Sequence, residues 1–139
     1  VSHWLTLDYQ TFRIGALKLQ HLHLEQLHLL LATSAIYDFR KSVKRSVSDY
    51  QVFKEDRLWH SWHRHLLTTA RSHNVDNVLN LTYSPVTTED TALLAEQQCF
   101  VFSVLEQKVL TSDGIVFIRI HSDTGDATAV YSKLVERYS

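Results

Sequence analysis

Apolar residues along this chain recur mostly at helical spacing, and short polar breaks separate the runs. Leu5 to Ile14 fits a short helix, with Thr6 as a cap and Gly15 as a stop. From Leu17 to Leu31 leucine is dense. Leu22 and Leu24 alternate in strand fashion, while Leu24, Leu27 and Leu31 share a helical face, and helix is the preferred reading. Ser34 is a candidate cap for a further helix with Ile36, Phe39 and Val43 at i, i+3 and i+7. A loop follows from Ser46 to Phe53.

The next helix, Lys54 to His73, puts Leu58, Trp59, Trp62, Leu66 and Ala70 on one face and Arg64, Thr68 and Arg71 on the other. Glu55 and Asp56 in its first turn suit the helix dipole, and Asn74 suits its C-terminal end. A short helical turn over Val75 to Asn80 leads into an extended linker, Leu81 to Pro85, where Pro85 steers Ser84 away from helical geometry. Thr87 or Thr88 caps the longest helix, which reaches to about Leu110. Its middle, Cys99 to Leu105, is apolar nearly all round and predicts a place at the centre of the domain. Ser112-Asp-Gly114 reads as a turn. Ile115 to Ile120 has strand-like composition, but a strand without a partner is unstable, so a short helix is expected. Asp123 or Thr124 caps a last helix with Ala127, Val130, Tyr131, Leu134, Val135 and Tyr138 on one face. The pattern predicts an all-α fold, a compact bundle of about five to seven helices. Trp59, Trp62, Leu66, Phe100, Val101, Leu105, Val130, Tyr131 and Leu134 are expected to hold its core.

Composition supports this. The chain has 139 residues and is 45% hydrophobic, enough for a core without metal or disulfide help. Gly 3 and Pro 1 are too few for an all-β chain of tight turns. Cys99 is the single cysteine, which suits a reducing compartment and predicts a cytoplasmic location. No apolar run approaches the ~18 residues of a membrane span, and the start lacks a signal-peptide layout. With Val1 first and no Met, the chain reads as a piece of a longer protein. Its amphipathic end, Val135 to Ser139, predicts a domain incomplete at the C-terminus. Residues 1–34 are read as an N-terminal helical arm and residues 35–139 as the main domain.

Charge is divided. Residues 35–75 hold eight Lys/Arg against four Asp/Glu, hence +4; residues 76–139 hold four against nine, hence −5. Two solvated surfaces would account for this, but opposite signs on one small domain also favour head-to-tail contacts between copies.

The candidate chemistry is thin. His60 and His63 are i, i+3 with His65 and His73 nearby, but His60 and His65 point to different sides of a helix and no three histidines converge. No metal site and no cofactor is expected. Asp123-Thr-Gly125 matches the short core of aspartic proteases, yet that chemistry needs the Asp on an apolar strand in a β-rich domain, so a helix cap is the better reading. Cys99 beside Phe100, Val101 and Phe102 is expected to be buried and inert. There is no Gly-rich phosphate loop and no nucleophile elbow. No catalytic residue is assigned, and no small-molecule substrate is expected. Arg40, Lys41, Lys44 and Arg45 form a basic cluster that Arg64 and Arg71 could extend, a candidate for weak phosphate contact with RNA.

Several elements in fixed order complete the picture: Asp38-Phe-Arg-Lys-Ser-Val-Lys-Arg45, Tyr50-Gln-Val-Phe-Lys-Glu-Asp56 with Trp59 and Trp62, and Val78-Leu with Tyr83-Ser-Pro85. Then come Glu96-Gln-Gln-Cys-Phe100, Val104-Leu-Glu-Gln-Lys-Val-Leu-Thr111, Arg119-Ile-His121 and Gly125-Asp-Ala-Thr-Ala-Val-Tyr131. Over residues 35–139 this order resembles the Gag region of copia-like LTR retrotransposon polyproteins. Trp4-Leu-Thr-Leu7 and Phe12-Arg13 fit more loosely. The resemblance implies an all-helical, capsid-like, non-enzymatic domain that self-associates into a particle around element RNA. It also implies that the family's downstream zinc knuckle, protease, integrase and reverse transcriptase are not in this stretch. The other reading is a small helical nucleic-acid-binding module using the 40–45 cluster.

Overall fold

The structure is a computed structural model and describes residues 23–139. The expected helix over Leu5–Ile14 and the first part of the leucine run lie outside the described residues. α1 covers residues 23–42. A 3-10 turn, Val47–Asp49, leads to a second, Asp56–Leu58, which runs directly into α2, Trp59–Ser72. A third, Asp76–Leu79, precedes α3 (Thr88–Lys108), α4 (Ser112–Ile120) and α5 (Ala127–Tyr138). Among the described residues the fold is an all-α bundle without strands, as the sequence pattern predicts.

α3 is the hub. It packs on α4, α5, the Asp76–Leu79 turn and the Val47–Asp49 turn. Thr87 starts it by accepting the Asp90 N–H at 3.1 Å. Val101, Phe102, Val104 and Leu105 are its buried apolar residues. The expectation of an apolar girdle is too broad by two positions. Cys99 is exposed rather than buried, because it lies on the side of α3 away from Val101 and Leu105. Phe100 is half-buried and leans on Tyr50 and His73, with ring centroids 6.1 and 5.8 Å away.

Trp59, Trp62, Leu66, Val101, Leu105, Val130, Tyr131 and Leu134 are all buried, as expected. Phe53 stacks on Trp62 at 4.9 Å, and Tyr138 stacks on Trp59 at 5.4 Å. Both indole N–H groups are satisfied: Trp59 donates to Ser139 Oγ at 2.9 Å and Trp62 to the Gln51 carbonyl at 2.7 Å. Phe53 itself is pinned by backbone. Its N–H donates to the Lys108 carbonyl at 2.7 Å, and its carbonyl accepts the Leu110 N–H at 2.8 Å.

Four local expectations are corrected. Ser34 does not cap a helix, since α1 runs through it; Leu31, Ala32 and Ala35 around it are good helix formers, and Thr33 bonds back to the Leu29 carbonyl inside the helix at 2.9 Å. Leu58 does not share the buried face of α2; it closes the preceding 3-10 turn and is 44% exposed. Ser112-Asp-Gly114 is the first turn of α4 rather than a loop. Thr111 caps it by accepting the Gly114 N–H at 3.2 Å, and a Cβ at Gly114 would strike the Val109 side chain and lie 2.6 Å from Thr111 Oγ1. Asp126, not Asp123 or Thr124, caps α5, with its carboxylate accepting the Ala129 N–H at 3.0 Å. Residues 123 and 124 belong to the turn after α4, which Gly125 ends at φ +64°, a left-handed value that suits glycine. Asn74 takes φ 58° just past α2, the role its sequence position suggests.

Candidate functional site

The basic cluster is the first place to look, and the structure divides it. Arg45 is half-buried and committed to backbone carbonyls. Its guanidinium donates to the carbonyls of His73 (2.5 Å), Phe39 (2.7 Å) and Val43 (3.3 Å), and lies 3.5 Å over the Phe39 ring. It serves the C-terminal ends of α1 and α2 together, where carbonyls lack helical partners and attract a cation. It is thereby withdrawn from any phosphate. Arg40 donates to Glu96 at 2.6 Å, which neutralises it and fastens α1 to α3. Lys41 lies 4.6 Å from the centre of the Tyr37 ring and stays exposed, as do Lys44, Arg64 and Arg71. Four of the six candidate cations therefore face solvent without an acidic partner among the ion pairs of the described residues.

Two of the candidate histidines, His63 and His73, are held in structural contacts. His73 Nε2 donates to the Asp49 carboxylate at 3.0 Å, and its Nδ1 shares a hydrogen bond with the Tyr50 hydroxyl, also 3.0 Å. This Asp–His–Tyr chain has the order of a proton relay. Its tyrosine is only 4% exposed, and burial, helped by the charge of Asp49, pushes the Tyr50 phenol above its ordinary range. No substrate can reach it as an oxyanion, and its evident work is to hold the Asp49–Tyr50 loop against α2. His63 stacks on Trp59 at 4.6 Å and shares a 2.6 Å hydrogen bond with the Tyr131 hydroxyl, not with a carboxylate. Burial, and then the neighbouring His60, lower its pKa. His65 Nδ1 is buried without a hydrogen-bond partner. Among the described residues, no group of three His, Cys, Asp or Glu side chains could hold a metal ion.

The feature that sequence reasoning underweighted is the first half of α1. Leu24, Leu27, Leu29, Leu30 and Leu31 are 53, 43, 67, 66 and 45% exposed. Only Ala32 and Phe39 of this helix are buried. Between residues 23 and 31 the one charged side chain is Glu25. Contiguous exposed leucines on a helix mark a contact surface, because folded domains seldom leave such stripes to water. The density of leucine was visible in the sequence; its failure to reach the core was not.

The chain matches no protein-family model, no curated protein and no solved structure. Among the described residues no helix is long and apolar enough to cross a membrane.

Proposed function

We propose that this chain is a structural, non-enzymatic domain that self-associates, in the manner of the capsid-like Gag region its sequence resembles. The observation that carries the reading is the leucine stripe of α1, held outside the bundle by the anchors Phe39 and Arg40–Glu96. A domain that buries Trp59 and Trp62 so completely yet leaves five leucines wet has a second apolar surface to cover. Contact with element RNA is the weaker part of this reading. It rests on Lys41, Lys44, Arg64 and Arg71, which can attract phosphate without reading bases.

Light scattering with sizing, across concentration and at low and high salt, tests the proposal. Assembly through apolar surface should grow with concentration and hold or strengthen in kosmotropic salt. Growth only when nucleic acid is added, lost steeply as salt rises, would favour the nucleic-acid-binding module instead. A strict monomer at all concentrations would contradict self-association.

A further inference from the structure

Apart from the leucine stripe, the geometry points to a binding site: a notch between α1, α3 and the turn after α2 that takes the guanidinium of an arginine side chain. The notch has a volume of about 450 Å³. α1 contributes Asp38 and Phe39, the turn after α2 contributes Asn74, Asp76 and Asn77, and α3 contributes Leu93 and Gln97. Leu93 and Gln97 are one turn apart on α3, as Asp38 and Ser42 are on α1, so each helix lends one face to the same space.

Gln97 decides the reading. It is only 4% exposed, yet among the described residues its amide makes no hydrogen bond. Buried carboxamides are normally paired, because a polar group withdrawn from water without a partner costs free energy. The neighbouring Gln98 shows the usual outcome. Its amide donates to the Thr128 hydroxyl at 2.7 Å and accepts the Thr128 N–H at 3.2 Å. Gln97 instead lines the notch, where a ligand can complete it. The side chains of Asp38, Asn74, Asp76 and Asn77 are likewise without hydrogen bonds or ion pairs among the described residues.

Charge and shape select the occupant. The lining carries two carboxylates and no cationic side chain. Arg45 touches Ser42 at 3.3 Å, but its guanidinium is committed to the carbonyls of His73, Phe39 and Val43, and Arg40 is held by Glu96. Among the described residues no three His, Cys, Asp or Glu side chains are grouped to hold a metal ion, so the fitting cation is organic. Two carboxylates and three carboxamides offer more acceptors than a compact ammonium can use. A guanidinium brings its N–H donors in a planar fork that suits such a set. Phe39 and Leu93 supply carbon for the methylene stem behind it. That chemistry arrives either on a free arginine-like molecule or on an arginine of a polypeptide.

Nitrogen–proton correlation spectra of the full chain, titrated with Nα-acetyl-arginine amide, test the site. The amides of residues 38–42, 74–77 and 93–97 should shift together and saturate. Nα-acetyl-citrulline amide, which keeps the shape without the charge, should shift them little. Gln97→Leu should weaken binding about tenfold or more, as losing a hydrogen bond to a charged group does. Asp38→Asn with Asp76→Asn should abolish binding, and both positions are exposed, so the fold is kept. Because Gln97 has no partner to lose, Gln97→Leu should leave the melting midpoint unchanged or raised. Tighter binding of free L-arginine than of glycyl-arginyl-glycine amide assigns the site to a small molecule, and the reverse order assigns it to a polypeptide; either result keeps the guanidinium. No saturable shift with Nα-acetyl-arginine amide, equal shifts with the citrulline probe, or undiminished binding by the paired Asp38→Asn, Asp76→Asn variant overturns the proposal. So does a sharp fall in midpoint for Gln97→Leu, which would make that amide part of the fold.

Discussion

The first half of α1 and the length of α2 are written in the same sequence language and have opposite fates. Leu24, Leu27 and Leu31 sit at i, i+3, i+7, as Trp59, Trp62 and Leu66 do. On α2 these positions are 1, 3 and 2% exposed; on α1 they are 53, 43 and 45% exposed. Periodicity identifies an apolar face, but it does not say whether the partner is in the same molecule. What separates the two is aromatic reach. Trp59 and Trp62 interlock with Phe53 and Tyr138, each ring closing on the next. Among the described residues, α1 is tied to the bundle past its leucines, where Ala32 and Phe39 are buried and Arg40 pairs with Glu96.

If α2 is core and the stripe is surface, Trp62→Ala should cost about 3–5 kcal/mol, comparable to the whole stability of a small domain, and thermal melting would show it. An unchanged midpoint would erase the distinction. The next largest effect belongs to the residue joining the two regions. Arg45→Ala removes charged hydrogen bonds to the ends of both α1 and α2 and should cost about 1.5–3 kcal/mol in denaturant melts. Arg64→Ala and Arg71→Ala, on the solvent face, should stay within about 0.5 kcal/mol. Equal losses at all three arginines would return Arg45 to the surface cluster.

Much of the bundle was legible from sequence because its signals are local. The Thr87 cap, the buried stripe of α5, a short helix over 115–120 and eight of nine expected core residues need only neighbours within a few positions. What was hidden depends on contacts far along the chain. Phe53 and Val109 meet through an isolated bridge, so the loop 46–53 looks polar yet supplies buried Tyr50 and Phe53. Arg45 reads as one cation among four until the carbonyl of His73, twenty-eight positions away, claims it. Cys99 comes just before buried Val101 and Phe102 in sequence but lies on the other side of its helix. The candidate surface was half legible: the leucines were evident, and only the fold shows that the core is complete without them.

Smaller tests sharpen the boundary of the core. Asp126→Ala removes the cap of α5 and should cost about 1 kcal/mol, whereas Asp123→Ala should cost almost nothing. The pH profile probes His63, whose folded pKa is lowered by burial from 6.5. The unfolded chain then binds the proton more readily, so stability is full above about 6.5 and falls as pH drops below it. Replacing His63 with Gln should flatten that fall in melts at pH 7.5 and 5.5. Smallest of all, Leu27→Ala in dilute solution should move the melting midpoint by less than the equivalent of about 0.5 kcal/mol, since the residue is 43% exposed.

Hydrogen exchange on wild-type protein at low and high concentration tests the central claim most directly. The amides of residues 24–31 should exchange fast when dilute and slow markedly when concentrated, while those of Trp59 to Ala70 stay slow throughout. Equal exchange of residues 24–31 at both concentrations would mean that no second copy covers the leucines, and the assembly account would be wrong.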